Sequence, residues 1–141
     1  MRWLLLLSGC LALSGCSSFN RQWRETSQFP PSTDLQGCWQ GVWASDATGH
    51  TDSLRCLINK TADGSYQARF KAKYRKVLSF GYTVNLQAEP SETGYRFRGE
   101  ANLGWLAGGL YHYEGATDHT NFHSSYSCKY DHGTFKMVRV P

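Results

Sequence analysis

Charge is scarce in this sequence: 18% of its 141 residues are Asp, Glu, Lys or Arg. Fifteen basic against 11 acidic residues leave a formal +4, too small and too balanced for a nucleic-acid binder without a concentrated patch. No apolar run reaches the roughly 20 residues needed to cross a bilayer as a helix. No convincing 3.6-residue apolar stripe occurs, which argues against an amphipathic helical domain. There is no Gly-x-Ser-x-Gly elbow, no phosphate-binding loop, no pair of candidate catalytic carboxylates and no Cys-x-x-Cys spacing. Catalysis is therefore not expected, and neither a cofactor nor a resident metal is implied. Aromatic residues, by contrast, are plentiful. The 5 Trp, 8 Tyr and 7 Phe exclude a disordered chain, and the length suits one domain.

The amino terminus has its own pattern. Arg2 precedes an apolar run from Leu4 to Leu13 that is broken only by small residues and Cys10. Its length suits the apolar core of a signal peptide. The run ends in Leu13, Ser14, Gly15 and Cys16. This resembles the lipobox of bacterial lipoproteins, which implies cleavage before Cys16 and lipidation of its thiol and new amino group. An earlier copy at Leu7 to Cys10 leaves too short an apolar core, so Cys16 is the expected site. Several acyl chains make attachment durable, since each buried CH₂ contributes about 0.8 kcal/mol. Ser17, in place of an acidic residue, resembles the outer-membrane pattern of Gram-negative lipoproteins. Residues 1–15 are thus read as signal peptide. Residues 16–34, polar, irregular and interrupted by Pro30 and Pro31, read as a lipidated tether. Trp23 and Phe29 are unusual in a linker and suit either the membrane interface or packing on the domain.

From residue 35 to 141 apolar and polar residues alternate, with turn formers every 10 to 15 positions. Eight strands are expected: 36–44, 53–60, 65–74, 77–88, 95–103, 109–116, 121–129 and 133–140. Short connections imply antiparallel neighbours, and closure removes exposed edges, so the expectation is a single up-and-down β-barrel. Tyr66, Ala68, Phe70, Ala72 and Tyr74 should point inward, as should Phe97, Gly99 and Ala101, and Leu78 through Leu86 at every second position.

Gly37, Cys38 and Trp39 form a Gly-x-Trp opening that resembles lipocalin-like, or calycin, barrels, and Gly41, Val42 and Trp43 repeat it. The resemblance implies that Trp39 packs beneath a basic residue of the final strand. Arg139 is the candidate, closing one barrel end with its guanidinium plane on the indole. In size and type the domain is also similar to small envelope inhibitor lipoproteins.

Beyond the signal segment and Cys16, three cysteines remain: Cys38, Cys56 and Cys128. An exported chain meets an oxidising compartment, and strand parity points Cys56 and Cys128 inward, so a Cys56–Cys128 disulfide is expected. Buried free thiols are the alternative. Of the five histidines, His119 and His123 stand four apart, which on a strand means about 13 Å; a metal site would have to be assembled across strands. Arg69, Lys71, Lys73 and Arg75 alternate along one strand face with no acid between Gly64 and Ala88. They suit an anionic envelope polymer, anionic headgroups or an acidic protein, or simply a solvated wall, and Arg96 and Arg98 would extend the stripe if they faced the same side. The connection from Leu103 to Leu110 is apolar where a hairpin tip should be polar. Trp105 and Leu106 would plug the barrel, enter a membrane or contact a partner.

The expected protein is a membrane-anchored lipoprotein of the cell envelope, in the outer membrane if the host is Gram-negative, and a binding or structural module. An inhibitor of an envelope or foreign hydrolase, a small-ligand carrier with a cavity of at least about 300 Å³, and a metal-dependent enzyme built on the His-rich last third are the alternatives. Nucleic acid is not an expected partner.

Overall fold

The period-two alternation that starts at Gly37 continues through eight strands in the computed structural model, which describes residues 18–105 and 108–141. They are β1 (Gly37–Ser45), β2 (Thr51–Lys60), β3 (Tyr66–Tyr74), β4 (Leu78–Pro90), β5 (Tyr95–Asn102), β6 (Leu110–Thr117), β7 (Asn121–Ser127) and β8 (His132–Arg139). Each pairs antiparallel with its sequence neighbour, and β1 also pairs with β8, closing one up-and-down barrel. Parity sets the contents. Tyr66, Ala68, Phe70 and Ala72 of β3 are buried, as are Leu54, Cys56 and Ile58 of β2, because alternate residues of a strand share one face.

Glycine permits close approach at the closing seam. A side chain at Gly41 would meet the Lys136 carbonyl, and one at Gly133 the Ala44 carbonyl.

Residues 18–27 form a helix, α1, where an irregular tether was expected. Pro30 and Pro31 lie beyond its end and so do not oppose it. Phe19 and Trp23, four residues apart on one helical face, stack with centroids 5.8 Å apart. The chain divides into two units, residues 1–30 and 31–141. Cys16 lies outside the described residues.

The Cys56–Cys128 bridge is not formed; both are free thiols. Cys56 sits within β2 opposite Trp39 and Phe70, whereas Cys128 follows β7 in the turn at the far end of the barrel, its amide bonded to the Asp131 carbonyl. Parity identified a shared face but carried no information about height along the axis. Cys38 is buried too, and desolvation pushes its thiol up to about 11 despite nearby Arg55.

Candidate binding site at the barrel mouth

The two barrel ends differ in how their backbone and side chains are finished. One end is sealed. Leu35 and Trp39 are fully buried there, and the Trp39 indole N–H donates to the Leu35 carbonyl at 3.0 Å. The Arg139 guanidinium lies 4.2 Å from the Trp39 ring centroid. It donates to the carbonyls of His119 (2.8 Å), Gln36 (2.7 Å) and Asp34 (2.5 Å). A single cation thereby ties the amino-terminal approach, the β6–β7 turn and the first strand together. Asp34 accepts bonds from Ser32, Gln36 and the Tyr66 hydroxyl. Burial works to raise this carboxyl, but the hydrogen bonds outweigh it and hold it below the usual range. In the turns of this end Asp63 and Asp118 are lowered to about 2 by local donors, Thr61 and Ser65 for one, Thr120 and Asn121 for the other. These acids are turn caps.

The opposite end is open. β4 pairs with β3 from Leu78 to Leu86 but meets β5 only from Asn85 onward. The first half of β4 therefore lacks a ladder partner on its β5 side, and Phe80 remains 47% exposed although its parity points it inward. Below this gap is a cavity of about 120 Å³ with Trp43, Ala72, Tyr82, Tyr111, Tyr113, Tyr126, Phe135 and Asp131 in its wall. The rings pack as layers. Tyr82 and Tyr113 lie 6.4 Å apart at 19°, Tyr111 and Tyr113 6.3 Å apart at 18°, and Tyr126 and Phe135 5.1 Å apart at 29°.

Polar groups in this wall are bonded to one another. Asp131 accepts from the Ser45 hydroxyl at 2.6 Å and the Tyr126 hydroxyl at 3.0 Å. Tyr82 and Tyr113 share a hydrogen bond, and Tyr111 bonds Cys128. Trp43 donates to the Lys73 carbonyl at 2.8 Å. On the side of Trp43 toward the β1–β2 turn, His50 and Tyr74 continue the stack, 4.6 Å from each other.

Exposed apolar side chains gather around this opening. Val77, Leu78, Phe80, Trp105, Leu110 and Tyr130 all belong to its strands and turns; among the described barrel residues, Val42 and Val138 on the outer wall are the other exposed large apolar residues. Trp105 is 83% exposed, so its ring does not plug the barrel, while Leu103 from the same connection does reach the cavity wall. Leu106 lies outside the described residues.

Arg69, Lys71 and Lys73 face outward on β3; Lys73 is exposed and Arg69 and Lys71 are half-buried. Arg75 lies in the following turn with its guanidinium 5.4 Å from the Tyr74 ring centroid. That turn holds Arg75 and Lys76 at φ 53° and 61°, a left-handed pairing supported by Asp52, which accepts the Lys76 amide at 2.7 Å. Arg55 of β2 stands directly beside Lys71. Arg96 and Arg98 face outward, on the same side as the stripe, but lie farther along the wall. The strand register sets them opposite Glu89 and Glu114, toward the sealed end.

The histidines are dispersed between the mouth turns (His50, His132), the outer wall (His112, beside Glu100 at 3.1 Å, and His123) and the sealed end (His119). Among the described residues no three His, Cys, Asp or Glu side chains converge as a metal site. Asp131 escaped sequence reasoning because a solitary Asp before His-Gly reads as a turn former; its partners Ser45 and Tyr126 are 86 and 5 residues away.

Fold and site together define a closed eight-stranded antiparallel barrel with one end sealed by a Trp–Arg pair and the other open on an aromatic pocket. No protein-family model, curated protein or solved structure matches the chain.

Proposed function

We propose that this protein is a lipid-anchored module of the bacterial cell envelope that binds its partner through the open barrel mouth. The observation that carries this reading is the contrast between the ends. One is laced shut and rimmed by capped acids, the other surrounds a pocket with six exposed apolar side chains. Monomer surfaces rarely collect so many apolar groups around one concavity without a contact to make. Lys73 and Arg75 lead from the β3 wall toward this rim, which suits an acidic partner or an anionic envelope polymer. A cavity of about 120 Å³ is well below the roughly 300 Å³ of a drug-sized ligand site, which weighs against a carrier of such molecules. The exposed Trp105 tip supports inhibition of a hydrolase as the second reading, because a protruding aromatic is an effective anchor in a partner's pocket.

Anchoring rests on the lipobox-like sequence around Cys16. Cys16→Ser should abolish incorporation of radiolabelled palmitate and move the protein out of the membrane fraction. Continued labelling of that variant would overturn the assignment of this cysteine.

The mouth is tested by photocrosslinking in cells. A benzophenone side chain at Trp105 or Tyr130 should give a discrete adduct, while one at Asp63 or Glu92 on the sealed end should not. Adducts from the sealed end alone would refute the reading.

A further inference from the structure

We infer that the pocket in the mouth is a binding site for a compact organic cation of the quaternary ammonium class. The inference deepens the proposal that the mouth is the binding end and rests on it. Three observations converge. First, the wall is made almost entirely of rings: Trp43, Phe80, Tyr82, Tyr111, Tyr113, Tyr126 and Phe135. Aromatic faces carry negative potential, and enclosures of such rings are the protein environment that best replaces water around a methylated ammonium.

Second, among the described residues Asp131 is the one acidic side chain in that wall, and none of those lining it is Lys or Arg. Its two oxygens each accept one hydrogen bond, from Ser45 and from Tyr126. A carboxylate has about four acceptor positions, so a negative group held in place by two neutral donors still projects its charge across the cavity. The cations of the mouth turns and rim, Lys73, Arg75, Lys76 and Lys129, are not part of this wall; Arg75 lies over the Tyr74 ring and Lys129 over the Tyr130 ring.

Third, the size fits. The cavity measures about 120 Å³, and an apolar cavity of about 150 Å³ holds a benzene ring. A trimethylammonium group falls in this range, whereas a sugar ring bearing its hydroxyls or a folded acyl chain does not. A quaternary head also needs no hydrogen-bond acceptor, which matches a wall whose tyrosine hydroxyls are already occupied by one another, by Cys128 and by Asp131.

The test compares choline with its neutral isostere 3,3-dimethyl-1-butanol, the full chain being held in phosphatidylglycerol nanodiscs so that no other choline is present. Ligand-observed NMR of the methyl groups and Trp fluorescence report binding. Choline should bind saturably and at least tenfold more tightly than the isostere. Asp131→Asn, which retains an acceptor for Ser45 or Tyr126, should weaken choline at least tenfold and leave the isostere unchanged. Ala72→Phe, which fills the cavity from β3, should abolish both, with near-UV circular dichroism checking that each variant is folded. Equal binding of the two probes would overturn the inference in favour of a simple apolar slot. So would choline binding unaffected by either folded variant. Binding of neither probe, with mouth crosslinks still formed, would overturn the cation site and leave the mouth as a contact surface; loss of the mouth crosslinks as well would remove the underlying reading.

Discussion

Replacing Trp39 by Ala is expected to cost the barrel about 3–5 kcal/mol, the range for truncating a fully buried large aromatic. Trp39 has no exposed surface, packs at 5.7 Å against Phe122 and is bonded to the Leu35 carbonyl. Its loss also removes the ring beneath Arg139. For a domain of about 100 residues each kcal/mol corresponds to roughly 4–8 °C in melting temperature, and total stability is typically about 5–15 kcal/mol, so the variant should be on the edge of unfolding at growth temperature. Urea denaturation of wild type and variant measures the difference. Arg139→Lys supplies the companion test. A lysine keeps the charge but lacks the planar fork that reaches three carbonyls at once, and it too should lower the urea midpoint clearly. A loss below about 1 kcal/mol in both variants would mean that the sealed end contributes little to stability.

The second large effect is alkaline unfolding. Burial raises Tyr82, Tyr111, Tyr113 and Tyr126 well above the ordinary phenol value, and Tyr66, also bonded to Asp34, to about 12. Burial likewise raises Cys56 strongly and Cys38 to about 11. A group whose folded value exceeds its unfolded one contributes stability that is fully present below the unfolded value and lost as pH rises toward the folded one. The window therefore opens near pH 9 with the thiols and steepens above pH 10 with the phenols. Each fully protected group removes roughly 1.4 kcal/mol per pH unit in that range, with the partly buried Tyr82 and Tyr111 contributing less. Five phenols acting together should carry the protein from a stable fold at pH 9 to an unfolded chain before pH 12. The urea midpoint should fall steeply from pH 9.5 to 11, with tyrosinate absorbance at 295 nm rising in the same transition as the loss of β-sheet signal. Most of the eight tyrosines titrating near pH 10 in a still-folded protein would contradict the packing described for the pocket.

The sealed end was more legible in the sequence than the open one. Gly-x-Trp and a basic residue in the last strand are short-range marks, and an antiparallel barrel in which β8 returns to β1 has to bring residue 139 beside residue 39. The pocket left fainter marks. Phe70, Phe80 and Tyr82 were readable as inward-facing, but a strand pattern does not say whether inward-facing rings fill the interior or stop short of it. That depends on where β4 stops pairing with β5, since the six-residue ladder of that seam leaves Leu78 to Val84 without a β5 ladder partner. The apolar connection after β5 stood out as anomalous, yet its composition could not distinguish a plug from a protrusion. Leu103 turned inward and Trp105 outward.

Local alternation and turn composition were thus enough to determine an all-β chain, eight strands close to their observed limits, the faces of β3 and β5, and the closed antiparallel order. All of these follow from interactions between near neighbours along the chain, where a period of two and a short connection leave few options. The helix over residues 18–27, the separation of Cys56 from Cys128, the register that sets Arg96 and Arg98 opposite Glu89 and Glu114, and the pocket around Asp131 were decided in three dimensions. Each depends on axial height and strand register, quantities set by how the whole sheet closes on itself and therefore absent from any one segment, or, for the helix, on side-chain contacts that a polar segment does not advertise.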